Sequence, residues 1–229
     1  MKWRSLDESV ATEDTRSLHQ QFAERKELIA KYVLPETQAI HERAIAELKD
    51  QAIATRALSE GAKAPDFVLS DHDGKPVSST ELLSQGRLVI CFFRGRWCPF
   101  CVGQLEAMNQ ILPWIQQAHA SLIAISPQTV QQSFFMADQH KLRFPLLSDL
   151  GNKVARQFGL VYRVPEYQQA VYRRVFINLP FVNGDQSWEL PIPATYILGR
   201  DRSVLHASVN ADYTERAEPS EILQRLTAA

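Results

Sequence analysis

Two cysteines three residues apart, Cys98 and Cys101, are the side chains of this chain best suited to covalent chemistry. They lie in Arg94-Gly95-Arg96-Trp97-Cys98-Pro99-Phe100-Cys101. An apolar run rich in β-branched and aromatic residues, Leu88-Val89-Ile90-Cys91-Phe92-Phe93, precedes them, and a helically spaced segment, Val102 to Met108, follows. The order is therefore strand, tight turn, helix. Cys98 falls at the N-cap, and Pro99 at the first helical position, where its missing N–H costs nothing and its fixed φ suits the helix. Residues at i and i+3 share a helix face about 5–6 Å apart, the separation a disulfide requires, so the pair can open and close without unfolding anything. Unpaired N–H groups and the positive end of the helix dipole stabilise a thiolate there, and Arg94 and Arg96 add charge. A lowered thiol pKa and a nucleophilic sulfur are expected.

A pair of thiols at this spacing also serves as half a zinc site. That reading needs two further ligands at conventional spacing, and the sequence has no second Cys-x-x-Cys and no His-x-x-x-His. The histidines (His19, His41, His72, His119, His140, His206) are scattered singly. No cofactor is called for. The third cysteine, Cys91, sits inside the apolar run and reads as a buried, inert thiol.

At 229 residues the chain can hold one good-sized domain with extra helices, or two small domains. Twenty-five Lys and Arg against 26 Asp and Glu leave a formal charge of −1, which offers no footprint for nucleic acid and no attraction to an anionic membrane. A small molecule or a protein is the expected partner. The N-terminus, Met1 to Ser9, is charged and lacks a signal-peptide core, and no apolar run of about 18 residues occurs elsewhere. A cytoplasmic protein is expected, and three cysteines in a reducing compartment argue for chemistry over a disulfide framework.

The elements around the cysteines follow from pattern. Thr12 to Val33 reads as an amphipathic helix capped by Thr12, with Leu18, Phe22, Ile29 and Val33 on one side. After Leu34-Pro35 a second helix is expected to reach about Leu58, seamed by Ile45, Leu48 and Ala52. Residues 1–60 thus form an N-terminal helical hairpin extension. Such a pair cannot bury both faces alone, so it docks on the main domain, 61–229, or on a second subunit, as in a homodimer.

Alternating apolar residues around Asp73-Gly74 indicate a hairpin, and Ser78-Ser79-Thr80 starts a short helix that Gly86 ends. Pro113 should split the helix that follows the cysteines. Ser121–Ser126 and Phe144–Asp149 read as strands, with helices from Val130 to Lys141 and around Val154, Ala155 and Phe158. Strands separated by helices imply an α/β sheet covered on both faces. Arg163 to Trp188 breaks the rhythm with aromatics and prolines, and reads as a loop or small helical insert near a site or interface. Ile192–Leu198 and Val204–Val209 form a second hairpin, and a helix from Pro219 to Leu226 closes the chain.

Ala64-Pro65-Asp66-Phe67, Ser126-Pro127, Phe144-Pro145-Leu146-Leu147-Ser148-Asp149 and Ile192-Pro193-Ala194-Thr195 now join the cysteines. With them, the chain from about Gly61 onward resembles the peroxiredoxin-like alkyl-hydroperoxide-reductase and thiol-specific-antioxidant (AhpC/TSA) family of the thioredoxin superfamily. The resemblance implies a thioredoxin-like fold, a central mixed sheet flanked by helices, with the reactive thiols where the helix begins. It departs from the family in two places. The signature Pro-x-x-x-Thr/Ser-x-x-Cys, laid over this chain, puts its cysteine on Cys101, its Thr/Ser on Cys98 and its Pro on Arg94. The family's peroxide-polarising arginine lands on Pro193, which removes the usual means of stabilising the leaving oxygen. The same substitutions resemble thioredoxin, whose Trp-Cys-x-x-Cys is matched by Trp97 to Cys101 and whose cis-proline is matched by Pro193. A cis Ile192–Pro193 bond is expected on that likeness, with backbone groups free to pair with a substrate peptide.

The expected activity is thiol-based oxidoreduction. A hydroperoxide or protein disulfide is reduced as Cys98 and Cys101 close a bridge, and thioredoxin, glutathione or another thiol restores the pair. For a disulfide, Cys98 should attack, as the more exposed sulfur at the helix tip. For a peroxide, the family overlay assigns attack to Cys101 and resolution to Cys98. Trp97, Arg94 and Pro193 are the candidate substrate-positioning residues; Trp97 and Phe100 read equally as core, and Asp66 reads as a cap or turn residue ahead of a proton-relay role. Two readings compete with this one: a thioredoxin-like protein-disulfide reductase without peroxidase activity, and a redox-sensing adaptor whose hairpin binds a partner.

Overall fold

Residues 16–227 are described by a computed structural model. The chain enters through α1 (Leu18–Tyr32) and α2 (Pro35–Asp50). Ser17 caps α1 in a reciprocal box with Gln20, and Pro35 opens α2. Thr12, the expected cap, lies outside the described residues. α2 stops short of Leu58 because Ala52 takes a left-handed φ of 50°, after which a 3-10 turn, Ile53–Arg56, drops Ile53 into the core.

β1 (Val68–Ser70) and β2 (Pro76–Ser78) make the expected antiparallel hairpin, closed by the Asp71 carboxylate, which accepts from the backbone N–H groups of Asp73 and Lys75. After α3 (Ser79–Gln85) come β3 (Arg87–Phe92), α4 (Pro99–Gln110) and α5 (Leu112–Gln117), the last two parted at Ile111 as Pro113 requires. β4 (Ala120–Ser126), α6 (Val130–Gln139), β5 (Leu146–Ser148) and α7 (Lys153–Gln157) continue the alternation. Next, β6 (Val161–Arg163) and β7 (Glu189–Pro191) pair across the base of the irregular stretch, which holds α8 (Glu166–Arg174) and α9 (Leu179–Asn183). β8 (Ala194–Leu198), β9 (Val204–Val209) and α10 (Pro219–Thr227) complete the described chain.

The main sheet runs β2-β1-β5-β4-β3-β8-β9. It is mixed, since β3 pairs parallel with β4 and antiparallel with β8. Side chains of β3 alternate between two apolar cores: Leu88, Ile90 and Phe92 meet Phe158 and Tyr196, while Val89, Cys91 and Phe93 share the other with Met108 and Ile115. A strand covered on both faces is why this run carries no polar alternation.

The N-terminal helices pack onto the elements that carry the cysteines. Phe22 of α1 meets Phe100 of α4 edge-on at 5.1 Å, and Gly103 makes room, since a Cβ there would stand 2.9 Å from the Phe22 ring. The Glu218 carboxylate accepts from the N–H groups of Leu18 and His19, an anion at the positive end of α1. Tyr167 on α8 donates to Glu47 on α2 at 2.6 Å, with the Arg43 guanidinium over its ring. No described helix is long and apolar enough to cross a membrane.

Gly159 sits at φ 73°, and a Cβ there would stand 2.1 Å from the Arg56 carbonyl oxygen, at the junction between the 3-10 turn and the core. Gly159→Ala is expected to destabilise the fold by about 2 kcal/mol or more, read as a lower urea midpoint at unchanged slope.

Candidate active site

Cys98 is the N-cap of α4 with φ −92°, and Pro99 takes the first helical position, as the sequence predicts. Gly95, at φ 146°, lets the chain turn out of β3 beneath the Trp97 ring, where a Cβ would be 2.6 Å from the indole nitrogen. All three cysteines are free thiols. Cys98 is 1% exposed and Cys101 0%, so the expectation of an exposed sulfur at the helix tip fails. The turn is roofed by aromatic residues from distant segments, a feature no local rule contains.

Two arginines reach the sulfurs. Arg94 is 2% exposed; its Nη1 lies 3.9 Å from Cys98 Sγ, and its backbone N–H donates to Cys101 Sγ at 3.5 Å. Its guanidinium stacks on Tyr213 at 3.9 Å and Trp97 at 4.9 Å and donates to the Tyr172 hydroxyl. Arg216 is 7% exposed and places Nη2 3.5 Å from Cys101 Sγ. It is held by Gln104 Oε1 at 2.8 Å and by the carbonyls of Tyr213 and Glu215, and Gln104 in turn donates to Thr195 Oγ1 at 3.0 Å. Among the described residues, neither arginine pairs with a carboxylate. Arg96 is exposed and bonds Gln132 instead of a sulfur.

These charges set the chemistry. Burial pushes the Cys98 thiol up, but the hydrogen bond from Cys101 and the charges of Arg94 and Arg216 outweigh it and bring it from 9.0 to about 5. Cys101 is pushed well above 9.0 by burial, by its hydrogen bond to Cys98 and by the negative charge there. Cys101 has the nearer cationic donor. Its single proton nonetheless satisfies both sulfurs when directed at Cys98, and the charge rests on Cys98. Burial keeps Tyr162, Tyr172 and Tyr213 neutral despite Arg94. Burial and then Arg94 lower His41 to about 4, so it too is neutral at pH 7. Cys91, pushed up to about 12 by burial, is the inert thiol the sequence implies.

The remaining predicted residues divide. Trp97 is half-buried against Tyr172, ring centroids 5.2 Å apart, beside the site. Phe100 is core, packed between Phe22 and Tyr213. Asp66 is exposed and pairs with Arg202 at 3.2 Å, away from the sulfurs. There is no cis peptide bond among the described residues, which corrects the expectation for Ile192–Pro193. The Ile192 N–H is already taken by the Leu160 carbonyl at 2.8 Å, next to the β6–β7 pairing, so it is not free for a substrate peptide. Pro193 instead lines a cavity of about 160 Å³ with Thr195, Ser208, Asn210, Glu215 and Arg216. No three described His, Cys, Asp or Glu side chains converge as metal ligands. Sequence reasoning missed Arg216, Gln104, Tyr172 and Tyr213. The unpatterned aromatics of the 163–188 stretch were the one available hint.

The AhpC/TSA family pattern matches residues 61–207. The chain is 29% identical over 172 residues to the chloroplastic peroxiredoxin Q of Arabidopsis thaliana, covering 75% of this chain and 68% of the relative. It is 34% identical over 103 residues to the peroxiredoxin Q of Gentiana triflora, 45% of this chain and 47% of that one. To the thiol-disulfide oxidoreductase ResA of Geobacillus thermodenitrificans it is 31% identical over 107 residues, covering 45% and 59%. Against the Gentiana relative the match spans about half of that protein's length. Among solved structures, peroxidoxin BcpB of Mycobacterium tuberculosis superposes with a TM-score of 0.59 at 23% identity, covering 75% of this chain and 97% of that one. A PrxQ mutant of Xylella fastidiosa gives 0.60 at 16%, covering 75% and 96%. These likenesses establish a thioredoxin-like α/β fold.

The ultraviolet absorbance of the thiolate in the reduced protein should titrate with a midpoint near pH 5. C98S should remove that transition, and Arg94→Gln should move it upward. The same depressed pKa links to stability. The Cys98 contribution is complete above pH 9.0 and is lost as pH falls through about 5. The unfolding free-energy difference between wild type and C98S should therefore shrink across that window.

Proposed function

Because the chain belongs to the AhpC/TSA family, we propose that it is a thiol-based oxidoreductase of peroxiredoxin type, reducing hydroperoxides through a Cys98/Cys101 dithiol–disulfide cycle. The observation that carries this reading is the pair of buried sulfurs one helical turn apart, set between two arginines that pair with no carboxylate among the described residues.

The Cys98 thiolate attacks the distal oxygen of R–O–O–H, in place of the Cys101 that the family overlay assigns, because Cys98 carries the charge and Cys101 holds the proton. The O–O bond breaks, Cys98 becomes a sulfenic acid, and the leaving RO⁻ takes a proton to depart as alcohol. Arg94, beside Cys98, stabilises charge as it moves from sulfur to oxygen. Cys101 then attacks the Cys98 sulfur, the S–O bond breaks, and water leaves with the Cys101 proton as the disulfide forms. A thioredoxin- or glutathione-type thiol restores the pair by exchange. In this reading Arg94 and Trp97 position the substrate's reacting oxygen, and Pro193 acts only as cavity wall. The depth of both sulfurs favours a small hydroperoxide over a protein disulfide, which would need the aromatic roof to lift. The likeness to ResA supports the runner-up, a protein-disulfide reductase using Cys98 as attacker.

We assign the chemistry to residues 61–229 and read 1–60 as an N-terminal helical hairpin extension, supported by the family match beginning at residue 61. The dependence on external thiols suits a reducing compartment such as the cytoplasm, and the hairpin is the surface through which a homodimer would form.

C98S should abolish peroxide consumption. C101S should consume one equivalent and stop as a sulfenic acid that a dimedone-type nucleophile traps. Full turnover by both single variants would overturn the cycle. A wild type that spares hydrogen peroxide and organic hydroperoxides but reduces a model disulfide would establish the runner-up.

A further inference from the structure

Arg94 and Arg216 bring two positive charges into the interior, and among the described residues the anionic group within hydrogen-bond reach of their guanidiniums in the reduced protein is the Cys98 thiolate with its Cys101 partner. A buried cation without a counter-charge costs free energy that surface arginines never face. Disulfide formation removes the counter-charge. Two electrons pass from the sulfurs to the hydroperoxide O–O bond, the last thiol proton leaves in water, and a neutral S–S bond stands where the anion was. Arg94 Nε is buried and lacks a hydrogen-bond partner among the described residues.

Arg216 has another neighbour. It lines the 160 Å³ cavity with Pro193, Thr195, Ser208 and Asn210, and neither cysteine lines it. That space is several times the roughly 30 Å³ share of one water. Hydroxyl and amide side chains on its wall supply donors beside the guanidinium, a group suited to holding anions. Glu215, the carboxylate of the lining, is bonded by Lys26 at 2.5 Å, which answers its charge.

We propose that this cavity is a redox-linked anion site, binding a small monovalent anion beside Arg216 weakly in the dithiol form and tightly once the Cys98–Cys101 pair has lost its charge. The oxidised half rests on the cycle set out above; the cavity and its arginine do not. By reciprocity, an anion that prefers the disulfide form makes the protein harder to reduce, so the restoring thiol must displace it.

Chloride is the probe, followed by the broadening of its NMR line on titration into three samples: reduced wild type, peroxide-oxidised wild type and C98S/C101S. The double variant removes the charge with no redox step. Oxidised protein and double variant should bind chloride about tenfold more tightly than reduced wild type, within the usual range of such couplings. Arg216→Gln in the double variant should abolish binding, and Arg216→Lys should keep part of it. If Arg216→Gln does not fold, Ser208→Val on the cavity wall should weaken chloride in its place. Equal affinity in reduced wild type and double variant, or binding untouched by both the Arg216 and Ser208 changes, overturns the site. Tight binding by the double variant with no disulfide formed by peroxide would sink the cycle and leave the site standing. A disulfide that forms while neither it nor the double variant binds chloride would do the reverse.

Discussion

The interior around the start of α4 is governed by a charge balance: two guanidiniums removed from water and a pair of sulfurs that share one proton between them. Burial alone raises a thiol pKa, and Cys91 shows that limit, pushed up to about 12 in the strand that leads to the site. Cys98 is equally buried and moves the other way, because Arg94 and the Cys101 thiol face it. Depth and reactivity are therefore compatible here. The same apolar surroundings that would silence an isolated thiol strengthen its attraction to a nearby cation.

Holding those cations in place employs much of the rest of the chain. Tyr172 of the insert and Tyr213 of the segment after β9 grip Arg94. Gln104 of α4 grips Arg216 and is itself braced by Thr195 of β8. The N-terminal helices secure these grips from behind. α2 holds α8 through Glu47 and Tyr167, and α1 holds the C-terminal segment through Glu218 and the pair Lys26–Glu215. The extension thus bears on the site without supplying a sulfur to it.

This arrangement also accounts for the chain's departures from its family's pattern. The overlay puts the family's arginine on Pro193, so that arginine is absent from its usual place beside the sulfurs. The folded chain delivers cations from elsewhere, Arg94, where the overlay puts the signature's proline, and Arg216 beyond the second hairpin. A charge requirement is met wherever a guanidinium can be brought within reach, so its position along the chain is free to differ.

What could be read from the sequence was what neighbouring residues decide among themselves. Pro99 marks the helix start, Pro113 splits the helix, Asp71 to Gly74 closes a hairpin, and the unbroken apolar run of β3 announces a strand covered on both faces. Each of these depends on backbone geometry within a few positions, and each stands in the structure. The exposure of Cys98, the length of α2 and the state of Ile192–Pro193 were misjudged because packing against distant segments settles them. Arg94 could be read beside the cysteines, but Arg216 and the aromatic residues that hold Arg94 could not, for the same reason. Tyr172 lies 78 residues from Arg94, and Arg216 lies 115 from Cys101. Local stereochemistry placed two thiols on one helical turn; only the tertiary structure decided that they would be buried with two cations, and so which of them carries the charge.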